Sequence, residues 1–139
     1  MLSFLVAIAL WQAPMTLTNV ARGGVSDIQE PKEIVVKTAA EWQQLWRAHG
    51  AGQAPPAVDF TTRMAVGVFL GSRTTGGFSV QITAAEVVDG TLVVRYTEST
   101  PGPGAMLAQV ITAPFHLVSV EKFDGPVRFE KRQKTGGKI

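Results

Sequence analysis

Met64-Ala-Val-Gly-Val-Phe-Leu-Gly-Ser-Arg-Thr-Thr-Gly-Gly-Phe-Ser-Val-Gln-Ile-Thr83 holds two different strand patterns joined by a loop rich in glycine and threonine. From Met64 to Leu70 no polar side chain occurs, which is the pattern of a central strand covered on both faces. From Phe78 the pattern changes. Phe78, Val80 and Ile82 alternate with Ser79, Gln81 and Thr83, the period of a half-buried strand.

The segments on either side extend this β reading. Asp89-Gly90 stands between Val87-Val88 and Leu92-Val93-Val94, a strong hairpin signal, and the second arm runs to about Thr97. Pro101-Gly102-Pro103-Gly104 is a stiff loop. Gln109 to Val120 is mostly apolar but contains Pro114, which cannot donate to a ladder, so this strand is expected at a sheet edge or with a bulge. Val127 and Phe129 close the series. Upstream, Met15 to Val20 and Ile34 to Val36 read as short strands.

One helix interrupts the strands. Thr38 followed by Glu41 is a capping box. Trp42, Leu45, Trp46 and His49 then fall at i, i+3, i+4 and i+7 on one face, and Gly50 stops the helix. Two tryptophans on one stripe require a large apolar surface to cover them, and a sheet face is the natural one. His49, at the end of that stripe, is expected to be half-buried and satisfied by a carbonyl. The fold class that follows is α+β: a mostly antiparallel β-sheet or sandwich packed against one amphipathic helix.

Composition narrows the function classes. A chain of 139 residues with 45% hydrophobic and 17% charged residues supports a single globular core without staples. It contains no cysteine, which removes disulfides, thiolate nucleophiles and cysteine-based zinc sites. Net charge is +2, with Lys131, Arg132, Lys134 and Lys138 crowded near the C-terminus. Without interleaved aromatics these charges are poor grounds for a nucleic-acid partner, and they read as a solvated tail. Leu2 to Trp11 is apolar apart from Ser3, resembles the apolar region of a secretory signal, and is too short to span a membrane. A genuine N-terminal strand is the other reading of it. The resulting division is a signal-like segment at 1–14, one domain at 15–130 and a basic, disordered tail at 131–139.

Catalytic patterns are sparse. His49 and His116 have no acidic or histidine neighbour at metal-ligand spacing, so no metal is expected. A triad drawn from Ser26, His116 and an aspartate lacks a nucleophile elbow, because Gly24-Val25-Ser26-Asp27-Ile28 has no second glycine. Gly71 to Gly76 has the glycine spacing of a phosphate loop, yet Gly77 stands where the lysine is needed and a strand pattern follows. The chain is therefore expected to be no enzyme and to use no cofactor.

The segments left over are loops. Arg73, Thr74, Thr75, Gly76, Gly77 and Phe78 form one, Pro101, Gly102, Pro103 and Gly104 another, and His116 follows Pro114-Phe115. Loops on a rigid sheet are where binding surfaces are built. Arg73 has the fork to engage a partner's carboxylate or carbonyl, and Phe78 offers apolar area. The competing reading of Arg73–Phe78 is a plain tight hairpin with Arg73 capping carbonyls.

Phe69-Leu-Gly-Ser-Arg-Thr-Thr-Gly-Gly-Phe-Ser-Val80, Pro101–Gly104 and Thr112-Ala-Pro-Phe-His116, together with Glu41-Trp42, Leu45-Trp46 and Pro56 to Phe60, resemble the protease-complex subunit PrcB family, in particular its C-terminal domain. The resemblance runs from about Gly23 to Phe129. It implies a bacterial envelope, periplasmic or secreted protein that associates with a protease as an accessory or stabilising partner, while a cytoplasmic location stays open. Thr74 to Phe78 is also similar to a loop of chagasin-type cysteine-peptidase inhibitors. Two further readings are thus kept: a peptidase inhibitor using Arg73–Phe78, and a β domain binding a small molecule or glycan.

Overall fold

The computed structural model describes residues 14–50 and 52–136, so the apolar segment Leu2–Trp11 and Lys138 lie outside it. The order of elements is β1 (Thr18–Gly23), β2 (Lys32–Val36), α1 (Ala39–His49), β3 (Arg63–Phe69), β4 (Ser79–Val88), β5 (Thr91–Thr100), β6 (Phe115–Glu121) and β7 (Val127–Thr135). They form a four-stranded sheet ordered β1-β6-β3-β2 and a three-stranded sheet ordered β4-β5-β7. All pairings are antiparallel except β5–β7, which is parallel. The α+β class is as expected.

β3 is the central strand that its sequence requires, with β2 on one side and β6 on the other. Its side chains divide between two cores. Met64, Val66 and Val68 face the second sheet and meet Val80, Ile82, Leu92, Val94 and Tyr96. Ala65 and Phe69 face the helix and join Trp42, Leu45, Trp46, Phe115 and Leu117. The molecule is thus three layers deep: helix, four-stranded sheet, three-stranded sheet.

The helix follows its sequence signals. Thr38 is extended, and its hydroxyl accepts from the Glu41 N–H at 3.2 Å, while Gly50 closes the helix in the left-handed conformation at φ 81°. The indole N–H groups of Trp42 and Trp46 donate to the carbonyls of Pro56 and Gln53, which satisfies their polar edges within an otherwise apolar layer. At the β4–β5 hairpin, Asp89 and Gly90 both have positive φ, the requirement of a primed two-residue turn.

Two expectations need correction. Pro114 does not mark an edge strand, because β6 begins after it and lies inside the sheet between β1 and β3. The proline stands just outside the ladder, where only its carbonyl is used, accepting from the Leu70 N–H at 2.9 Å. The basic segment at 131–135 is likewise no loose tail. It completes β7, paired in unbroken register from Leu92–Val127 to Thr100–Thr135. Charged side chains disguised an edge strand whose backbone is held by its neighbour.

Gly67 leaves room on the helix-facing side of β3 for the side chains of its neighbouring strands. A Cβ there would overlap Leu117 Cδ2 on the adjoining strand. Gly67→Ala is expected to destabilise the domain by about 1–3 kcal/mol through overpacking, read as a lower midpoint in urea with unchanged slope.

Candidate loop interface at one end of the sandwich

Topology gathers the long loops at one end. β1, β3 and β5 finish there and β2, β4 and β6 begin there, so segments 24–31, 70–78 and 101–114 share that end. Segment 70–78 is not a hairpin, because β3 and β4 belong to different sheets and the chain crosses between them. Gly71 starts the crossing at φ 77°, where an added Cβ would stand 2.8 Å from Pro31 N and 2.9 Å from Gln29 O.

The crossing is clamped to loop 101–114. Arg73 and Thr112 exchange backbone hydrogen bonds of 2.7 and 2.9 Å, and the Gly76 N–H donates to Ala108 O at 2.9 Å. The Thr112 hydroxyl donates to Thr75 O at 2.9 Å. Gly77 lies under Leu107 and Pro101, and a Cβ there would come within 2.8 Å of the leucine. Two of the sequence-derived loops are therefore one structure. Thr74, Gly77, Pro103 and Gly104 are exposed on it, while Thr75, Gly76, Phe78, Pro101 and Gly102 are half-buried.

Arg73 points inward. Its Nη1 donates to Leu70 O at 2.8 Å, its Nη2 to Glu98 Oε2 at 3.3 Å, and its guanidinium lies 5.5 Å from the Phe78 ring centroid. Glu98 is only 6% exposed, and Lys131 Nζ stands 3.7 Å from its other oxygen. These groups border a cavity of about 290 Å³ together with Lys32, Glu33 and Tyr96. The Tyr96 hydroxyl donates to Glu33 Oε2 at 2.5 Å, and burial, reinforced by that carboxylate, holds the phenol above its ordinary pKa. Arg73 thus serves first as the counter-ion of a buried carboxylate, not as a free donor for a partner.

His116 is also internal. The Ile82 N–H donates to its Nδ1 at 2.8 Å, so the proton sits on Nε2, which donates to Asn19 Oδ1 at 2.8 Å. The ring joins the two sheets and offers nothing to a partner, which corrects its place among the contact residues. Burial and the positive charge of Arg22 push its pKa down to about 4. Nor does it meet Ser26. That serine is buried and shares a 2.8 Å hydrogen bond with Nδ1 of His49, which uses the hydroxyl and not the expected carbonyl. Among the described residues, no group of three or more His, Asp or Glu is placed to hold a metal.

The residues that sequence reasoning missed are apolar. Met106 is fully exposed, Ile111 is 71%, Val25 69% and Val110 55% exposed. Three belong to loop 101–114. Val25 adjoins Gly24, whose carbonyl accepts from Ala113 N–H at the end of that loop. The signal lies in the mostly apolar stretch Ala105–Ile111 between Pro103 and Pro114, part of which reads in the sequence as the start of a strand at Gln109.

The fold and this end define a class: a two-sheet β domain with one helix, carrying long, mutually clamped loops at one end. Residues 64–121, from β3 through β6, match the family model described as PrcB C-terminal, as the loop motifs implied. No curated protein and no solved structure matches the chain.

Two outcomes follow from this geometry. Arg73→Ala leaves Glu98 buried with only the more distant lysine, so a loss of about 1–3 kcal/mol is expected in urea denaturation, partly recovered in Arg73→Ala/Glu98→Gln. His116 is neutral when folded and titrates near its ordinary 6.5 when unfolded. Stability is therefore complete above pH 6.5 and falls as pH drops from 6.5 to about 4, by on the order of 3 kcal/mol. His49, whose pKa burial also lowers, adds in the same sense. Melting curves across that range should show the slope, and His116→Gln should reduce it.

Proposed function

We propose that this is a non-catalytic, extracytoplasmic protein-interaction domain that acts as an accessory or stabilising partner of an envelope protease. The observation that carries the reading is the exposure of Val25, Met106, Val110 and Ile111 on or beside one set of loops. These are the large hydrophobic residues left exposed among the described residues, and all but Val25 lie on loop 101–114, whose ends carry PrcB-like motifs. Apolar side chains held out on a clamped loop carry a hydration cost that contact with a partner relieves. The clamp adds affinity, because little chain entropy remains to be lost on binding. The match of residues 64–121 to the PrcB C-terminal model supports the protease connection.

The contact surface in this reading is the outer part of loop 101–114 with Val25, Thr74 and Gly77. Arg73, Phe78 and Glu98 brace it from below. A peptidase inhibitor acting through the same loop end is the second reading, favoured by the hydrogen-bonded clamp between loops 70–78 and 101–114. It differs in consequence, since an inhibitor silences the protease and an accessory partner preserves it.

Affinity capture from an envelope extract of the native organism, with wild type and Met106→Asp/Ile111→Asp as baits, tests the proposal. The expected result is a protease complex retained by wild type, lost with the variant and active when eluted. An identical set of proteins on both baits would refute the site, and capture of an inactive peptidase would select the inhibitor reading. Both substitutions are at exposed positions, so the melting temperature should change little.

A further inference from the structure

We propose that the free edge of β7 is a second docking site, which receives an extended acidic segment of another polypeptide as an added strand. The two sheets have four edges: β1, β2, β4 and β7. β1 is six residues long and its pairing with β6 is broken by a register shift between Asn19 and Ala21. β2 has only five residues. β4 carries a shift between Ile82 and Ala84, and Pro14 bridges it at Glu86 on its outer side. Short length, bulges, a covering chain and charged side chains are the devices that stop an edge from templating a new strand.

β7 has only the last of these, which disfavours a neutral or basic strand and admits an acidic one. It spans nine residues, pairs with β5 without a shift and, among the described residues, hydrogen-bonds to a strand on one side only. Lys131 to Thr135 is exposed along its length. The charge has a pattern. Arg132 and Lys134 are two residues apart, opposite Thr97 and Ser99, and so share the outer face of the sheet. Neither enters an ion pair within the described residues, whereas Arg95 and Arg128 on the same face are engaged by Glu86 and Glu130. Lys131 projects to the other face, toward Glu98.

An uncharged strand arriving here gains backbone hydrogen bonds alone. One with carboxylates at alternate positions sets them beside Arg132 and Lys134 as well, while a basic strand is repelled. The edge is therefore open in its backbone and selective in its side chains. The occupant it fits is an extended segment with Asp or Glu at every second residue, seated along β7 up to the base of loop 101–114, where β7 ends beside Thr100.

The test uses the full chain and a fluorescent short peptide alternating valine and glutamate, measured by anisotropy. Three comparisons decide it: the same peptide methylated on alternate backbone nitrogens, the protein variant Arg132→Glu/Lys134→Glu, and a valine–lysine peptide offered to both proteins. The expected result is saturable binding lost on N-methylation, weakened about tenfold or more by the charge reversal, and restored when the lysine peptide meets the reversed protein. Equal binding of the N-methylated peptide would reduce the site to charge attraction and overturn strand addition. Absence of binding, or binding indifferent to the reversal, would overturn it too. The reversed variant must melt with wild type, which its exposed positions favour.

Discussion

The covering of β3 on both faces is the constraint on which the rest depends. From Met64 onward β3 has no polar side chain and cannot lie at a surface, so a layer must stand on each side of it. The helix supplies one through Trp42, Leu45 and Trp46, and the β4-β5-β7 sheet supplies the other through Val80, Leu92 and Val94. Gly67 carries no side chain, and Leu117 of β6 occupies the space that one would fill. Because β3 ends in one sheet and β4 starts in the other, the chain must cross between layers directly after the most buried strand. That crossing is the glycine- and threonine-rich loop.

A loop in this position is fixed from below and from the side. From below, Arg73 answers the buried Glu98 and caps Leu70 O. From the side, loop 101–114 returns backbone hydrogen bonds at Arg73 and Gly76. The effect is to hold out Met106, Val110 and Ile111 on a loop hydrogen-bonded to its neighbour at Arg73, Thr75 and Gly76. His116 contributes at a distance, since its two hydrogen bonds tie β6 to β4 and to β1 and so keep the two sheets in register beneath the loops.

Much of this was legible in the sequence wherever local chemistry and tertiary need agree. The capping box at Thr38, the tryptophan stripe, the Asp89-Gly90 turn and the apolar run of β3 each have one physical solution, and the structure adopts it. The loop motifs also carried the family likeness. What misled was composition read without topology. Pro114 looked like an edge signal inside a strand, but the strand starts one residue later. Lys131, Arg132 and Lys134 looked like a solvated tail, because alternation of charged residues hides a strand whose backbone alone is paired. At the candidate site, the loops named by the sequence do meet at one end of the sandwich, while Arg73 and His116 turn inward. Arg73 and His116 drew attention as polar groups, yet polar groups next to a core are consumed by the core's own unpaired partners, here Glu98 and the Ile82 N–H. The exposed apolar residues went unnoticed because hydrophobicity alone does not distinguish a core position from a contact surface.

The central claim is that the clamped loop end meets a partner protein while the opposite end does not. Site-specific photocrosslinking in the native organism addresses it directly, with the reactive side chain placed at Met106 in one variant and at Asp89, in the distant hairpin turn, in another. The account predicts one discrete adduct with a component of a protease complex from position 106 and none from position 89. Adducts of the same partner at both positions, or at 89 alone, would contradict it.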